Sequence, residues 1–183
     1  MKKNDFFITG NATKYWKKEV KNGRLQIATK EDKIYILNGY NAFIIPNNAF
    51  VYELLVQPAT LRPAPEDGRA HIWINGIMRE DSAADTINII DRLLTAETAP
   101  VERTRWTVDA GDDKTLRIYK RQRGDVIGID TKYDSMVDFS FRHSGTMAGN
   151  KCPAIFTSGD FIALLLPVNN PSITDWARAL LEV

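Results

Sequence analysis

Residues 151–170 read KCPAIFTSGDFIALLLPVNN, the most strongly apolar stretch of the chain, with turn signals on either side. Ala154 to Phe156 form one predicted strand, Thr157-Ser158-Gly159-Asp160 a tight turn, and Phe161 to Val168 a longer strand ended by Pro167 and the polar Asn169-Asn170-Pro171. From Phe161 to Leu166 the apolar residues run without alternation. A strand with one wet face would alternate, so this one is expected inside a sheet, covered on both faces by helices. The rest of the chain is then read for what surrounds that hairpin.

Working toward the N-terminus, a Gly-containing loop over Ser144 to Lys151 precedes the hairpin. Before it, Thr131 or Asp130 caps a short helix carrying Tyr133, Met136 and Val137. Thr104 to Val108, Leu116 to Lys120 and Val126 to Ile129 are expected as a three-strand meander. Asp85 to Ala96 places Ile87, Ile90, Leu93 and Leu94 at helical spacing, and His71 to Ile77 is expected as a strand. Pro58, Pro63 and Pro65, followed by Glu66-Asp67-Gly68, form a rigid polar connector on the surface. Upstream of it lie a short strand (Asp5 to Thr9), a helix from an Asn11 N-cap to Lys21, strands at Arg24 to Thr29, Ile34 to Leu37 and Ala42 to Ile45, and a helix from Ala49 to Val56. That last helix, capped through Asn48, should turn Phe50, Leu54 and Val51 inward and end at Pro58. Downstream of the hairpin, Ser172 and Asp175 open a helix whose Ile173, Trp176, Ala177, Leu180 and Leu181 share one face.

One order recurs. A helix, a strand, a charged turn, a strand and a capped helix appear before the prolines and again after them. The expected fold is therefore α+β: a single domain over 1–183 with two antiparallel sheets and four or five helices. It divides into half-units of about 1–65 and 66–170, with an additional C-terminal helix over 172–183.

Composition limits the function classes. The chain has 183 residues, 44% of them hydrophobic, enough for a packed core. Its 24 basic and 23 acidic residues nearly cancel, so attraction to an anionic partner has to come from where the charges sit. A single cysteine, Cys152, precludes an internal disulfide and suits a reducing compartment. No apolar run reaches the ~20 residues of a spanning helix and no signal peptide is visible, so a cytoplasmic, membrane-free protein is expected. His71 and His143 have no metal-spaced partners, and Ser144 sits on no nucleophile elbow. Asp109, Asp112 and Asp113 lack a calcium-loop pattern, and no phosphate-cradling glycine motif occurs. Hence no catalytic residue, no metal and no cofactor is predicted, and the chain is expected not to be an enzyme.

Basic residues supply the positive signal. Lys14, Lys17, Lys18 and Lys21 recur at i, i+3, i+4 and i+7 along the first helix, opposite Ala12, Tyr15, Trp16, Glu19 and Val20. Such a face can meet phosphates with salt-dependent, sequence-independent affinity, or it can simply be a solvated face. Arg103 and Arg105 on one strand, with Arg117, Arg121 and Arg123 on another, give a second possible basic patch. Like charges on neighbouring strands repel, so this patch faces an acidic partner or interleaves with Asp and Glu.

Asp130, Lys132 and Tyr133, then Cys152-Pro153-Ala154-Ile155, then Leu166-Pro167-Val168, follow the order of the closing part of a bacterial sliding-clamp domain, the DNA polymerase processivity factor. The chain resembles that family over about a third of its length. A clamp subunit carries three such domains and this chain has room for one. The stretch Phe139 to Asn150 and the helix after Ser172 also depart from the family pattern. The resemblance implies a clamp-like fold, an internally duplicated helix-plus-sheet unit, with basic helices toward double-stranded DNA. The expected role is a non-catalytic binding or scaffolding component of DNA replication or processing machinery, possible as a homo-oligomer. The alternative is a protein-interaction module that does not bind nucleic acid, in which Trp176, Leu180 and Leu181 pack against another subunit.

Overall fold

The computed structural model describes residues 6–95, 98–121, 126–140, 144–149 and 152–168. In chain order the elements are α1 (Thr9–Lys21), β1 (Gln26–Lys30), β2 (Lys33–Leu37), β3 (Asn41–Pro46), α2 (Ala49–Leu55), α3 (Gln57–Thr60), β4 (Arg69–Ile74), β5 (Ile77–Ser82) and α4 (Ala84–Leu94). They continue with β6 (Ala99–Asp109), β7 (Thr115–Arg121), β8 (Val126–Asp130), α5 (Thr131–Asp134), β9 (Ser144–Met147), β10 (Ala154–Ser158) and β11 (Phe161–Leu165). The fold is α+β. Its strands do not form the two sheets expected from the sequence. They make one continuous antiparallel sheet, ordered β5-β4-β1-β2-β3-β11-β10-β9-β6-β7-β8.

The seam between β3 and β11 joins what would otherwise be two sheets, with Ile44 opposite Ile162 and Ala42 opposite Leu164. The apolar run of residues 161–165 thus lies at the middle of the sheet, where the absence of alternation placed it. Its two faces feed different cores. Ala163 and Leu165 join a large cluster with Phe7, Trp16, Phe43, Leu55 and Tyr119. Leu164 joins a second cluster with Ala83, Ile87 and Ile90 around α4 on the opposite face. Burying such side chains is worth about 1.5–3 kcal/mol each, which fixes this strand's place more firmly than any single hydrogen bond.

Two strands were not expected. Asn75-Gly76 is a hairpin turn with both residues at positive φ, 51° and 77°, so the stretch read as one strand is two, β4 and β5. β5 has a largely exposed face and carries no alternation signal. β9 is four residues, SGTM, that pair between β6 and β10. Gly145 is needed there, because a Cβ would lie 2.6 Å from Phe156 and 2.7 Å from Val101. Although β4 and β5 follow the proline connector, β4 pairs back onto β1 and β5 extends the sheet beyond it. Of that connector Pro63 is exposed and Pro65 is buried.

The helix starts and faces differ in part from expectation. Phe7 makes only an isolated bridge with Val137, and α1 begins at Thr9 behind Ile8, which offers no side-chain cap. Asn11, the expected cap, instead donates its amide to the Ser135 carbonyl at 2.8 Å, pinning α1 to the end of α5. In α2 the Asn48 side chain does cap, accepting from the Phe50 N–H at 2.9 Å. Phe50 and Leu54 nonetheless face solvent, while Tyr52 and Leu55 are inside. Pro58 does not stop the chain's helical course but occupies the first turn of α3, where its missing N–H costs nothing. The predicted C-terminal helix, with Ser172, Asp175, Trp176, Leu180 and Leu181, lies outside the described residues.

Candidate nucleic-acid interface

α1 presents its sequence pattern as two faces. Ala12, Tyr15, Trp16 and Glu19 are buried, and Lys14, Lys17, Lys18 and Lys21 are all exposed. Ala12 and Trp16 are fully excluded from solvent, which fixes the rotation of the helix and leaves the lysines no inward option. Lys18 and Lys21 also sit in the last turn, where cations offset the negative end of the helix dipole by about 0.3–1 kcal/mol. Among the described residues none of the four makes an ion pair.

The arginines are disposed otherwise. β6 and β7 pair Arg103 with Tyr119 and Thr107 with Arg117, with a bulge between. Arg103 grips the Asp134 carboxylate with two parallel bonds, 2.9 Å from Nε and 2.7 Å from Nη2. Arg117 Nε stands 3.6 Å from the same carboxylate, and the Tyr119 hydroxyl donates to it. Asp134 is only 3% exposed, so two guanidiniums and a phenol satisfy a charge that could not be buried alone. The hydrogen bond to Asp134 raises the Arg103 pKa, and burial beside the carboxylate pushes the Tyr119 phenol up. Arg103 also lies over the Phe139 ring at 4.6 Å. The acidic counterpart of the arginine patch is therefore internal. Arg105 is exposed and stacks over Trp106 at 4.9 Å, Arg121 is half-buried, and Arg123 lies outside the described residues. The four described arginines do not form one open basic surface. Asp134 carries no motif, and only folding brings it to them.

A second group of charges gathers where α1 ends. Lys132 Nζ is 2.8 Å from Asp130 Oδ2 and 4.5 Å from the centre of the Tyr133 ring. Burial works against this ammonium, but Asp130 and Tyr133 outweigh it and raise its pKa. Asp130 Oδ1 meanwhile caps α5 by accepting from the Lys132 N–H at 3.0 Å. Burial likewise raises the Glu19 carboxyl, against the pull of Arg24, Lys132 and Lys18. Tyr15, behind them, receives the Asn38 amide, and its phenol is pushed up by burial.

The other candidate residues of the sequence are dispersed among the described residues. Among the described residues no group of three His, Cys, Asp or Glu side chains could hold a metal. His71 is buried, with Nε2 3.8 Å from Glu80, and burial lowers its pKa. His143 lies outside the described residues, and Ser144 opens strand β9. Asp109 accepts from the Gly111 N–H at 2.9 Å, as an ordinary turn does. Among the described residues no helix is long and apolar enough to cross a membrane.

No protein-family model matches the chain, and no curated protein does. Among solved structures, the chain is similar to a protein from Eubacterium rectale that is provisionally assigned as a DNA polymerase III beta subunit. The two share 14% identity with a TM-score of 0.33, over 87% of this chain and 64% of that one. The likeness is weak, and this chain spans less than two thirds of that neighbour's length.

Proposed function

We propose that this protein is a non-catalytic, clamp-like binding or scaffolding component that meets double-stranded DNA through the lysine face of α1. The observation that carries the reading is the exposure of Lys14, Lys17, Lys18 and Lys21 on one side of a helix whose other side is locked into the core. A near-neutral chain that concentrates four cations on one rigid element has a surface suited to phosphates.

The order of the sheet supports a duplicated architecture. A hairpin and a meander, β5-β4 then β1-β2-β3, stand on one side of β11. A hairpin and a meander in the same sense, β10-β9 then β6-β7-β8, stand on the other. Each meander is preceded by a helix, α1 or α4, and followed by one, α2 or α5. Repetition in one sense is the arrangement that a helix-plus-sheet half-unit copied head to tail would leave. A homo-oligomer is part of this reading, measurable by light scattering.

The test is substitution of all four lysines by glutamine, which is a comparable helix former and should leave the fold intact. Affinity for duplex DNA should fall for every sequence. The slope of log affinity against log salt should become shallower by up to about 0.9 for each phosphate that is no longer neutralised. An unmodified protein that ignores duplex DNA at about 50 mM salt overturns the proposal and leaves a protein-interaction module.

A further inference from the structure

We infer that the cleft at the C-terminal end of α1 is a binding site for single-stranded nucleic acid, an inference that rests on the reading of the α1 lysines as a DNA-binding face. The cleft encloses about 430 Å³ and draws its cations from four separate parts of the chain: Lys18, Arg24, Lys114 and Lys132. The carboxylates that line it are Glu19 and Asp130, both buried, with Asp130 engaged by Lys132. Four cations against two carboxylates leave the cleft with a net charge of about +2 at neutral pH, and Lys18, Arg24 and Lys114 are exposed at its mouth.

Charge alone would suit any anion; the aromatic ring makes the choice. Tyr40 lines the same cleft and is 52% exposed, a large apolar surface held out of the core beside cations. The backbone that carries it is held in place, because the Asn38 side chain accepts from the backbone N–H of both Tyr40 and Asn41, at 3.1 and 2.7 Å. A positively charged groove with an aromatic platform is the arrangement that binds single strands, the phosphates meeting the cations and an unpaired base stacking on the ring. A duplex keeps its bases stacked on one another and has none to offer to Tyr40. Lys18 belongs to both surfaces, so a strand followed along the α1 lysines arrives at the cleft without leaving positive charge. An acidic peptide could use the cations but would leave the tyrosine without a role.

Binding is measured by fluorescence anisotropy with a labelled oligo-dT of about 15 nucleotides, and in parallel with a labelled duplex and a poly-glutamate peptide. Tyr40→Ala should weaken oligo-dT binding by about fivefold or more, Tyr40→Phe should retain it, and duplex affinity should be unchanged in both. Lys114→Gln should lower the salt slope for oligo-dT by about 0.7. Both positions are exposed, and circular dichroism checks that the variants fold. If duplex binds while oligo-dT fails to bind, or binds Tyr40→Ala as well as the unmodified protein, the inference falls and the duplex reading stands. If neither nucleic acid binds, both fall. Poly-glutamate that displaces oligo-dT and is itself insensitive to Tyr40→Ala replaces the strand with an acidic protein partner.

Discussion

Asp134 shows how one side chain can decide what a set of charges does. Its carboxylate is buried and receives Arg103, Tyr119 and, at longer range, Arg117. Such a cluster is no proof of net stabilisation, because desolvating the charges costs about as much as their attraction returns. Breaking it is another matter. Asp134→Asn leaves two guanidiniums half-buried without their counter-charge, and stability should fall by about 3–5 kcal/mol in urea titrations. A decrease below about 1 kcal/mol would mean that water already screens the pair. The same substitution makes the patch more cationic, so any gain in DNA affinity has to be read at a temperature where the variant remains folded.

At the scale of elements, β11 is the critical piece. Leu165 is fully buried and faces the larger core, opposite Ala154 on β10 and Asn41 on β3. Leu165→Asp places an unpaired charge there at a cost of several kcal/mol, against a total stability of about 5–15. The variant should lose its cooperative thermal transition, and an unchanged melting temperature would remove β11 from the core. This strand was legible in the sequence because a short apolar run bounded by turn residues fits a strand covered on both faces, although it ends at Leu165 and not at the expected Val168. α1 was legible because its two faces separate cleanly over three turns. β5 was not, since an edge strand with mostly exposed residues, IMREDS, has neither period nor apolar content to reveal it. β9 was hidden for another reason: its glycine serves close packing between Phe156 and Val101, and reads in isolation as a loop. The lysine face needed only helical spacing to be found. The cleft beside it needed residues 18, 24, 40, 114 and 132 brought together, and no spacing rule reaches across 114 positions.

For the molecule as a whole, one core spans both halves. Trp16, Phe43 and Leu55 from before the prolines share a cluster with Val101, Tyr119, Ile127 and Ile129 from well after them. Trp16 touches Phe43 and Phe7 edge-on, with ring centres 5.7 and 6.1 Å apart, so its fluorescence reports on that shared core. Unfolding should therefore be a single transition. Tryptophan emission and far-ultraviolet circular dichroism should give the same midpoint in denaturant. Two separated midpoints would show that the two ends of the sheet fold independently and are only lightly joined at β3 and β11.

That seam also sets an order of events on the ribosome. β3, Asn41–Pro46, is buried almost throughout, yet the strand that completes its pairing begins about 115 residues later in the chain. At a synthesis rate of about 5–20 residues per second, the interval is roughly 6–23 s. For that time the sequence NAFIIP presents an unpaired, apolar strand edge, the kind of surface that recruits other strands indiscriminately. The newborn chain is at its most vulnerable to aggregation in this window, and slowing translation between β3 and β11 would lengthen the exposure.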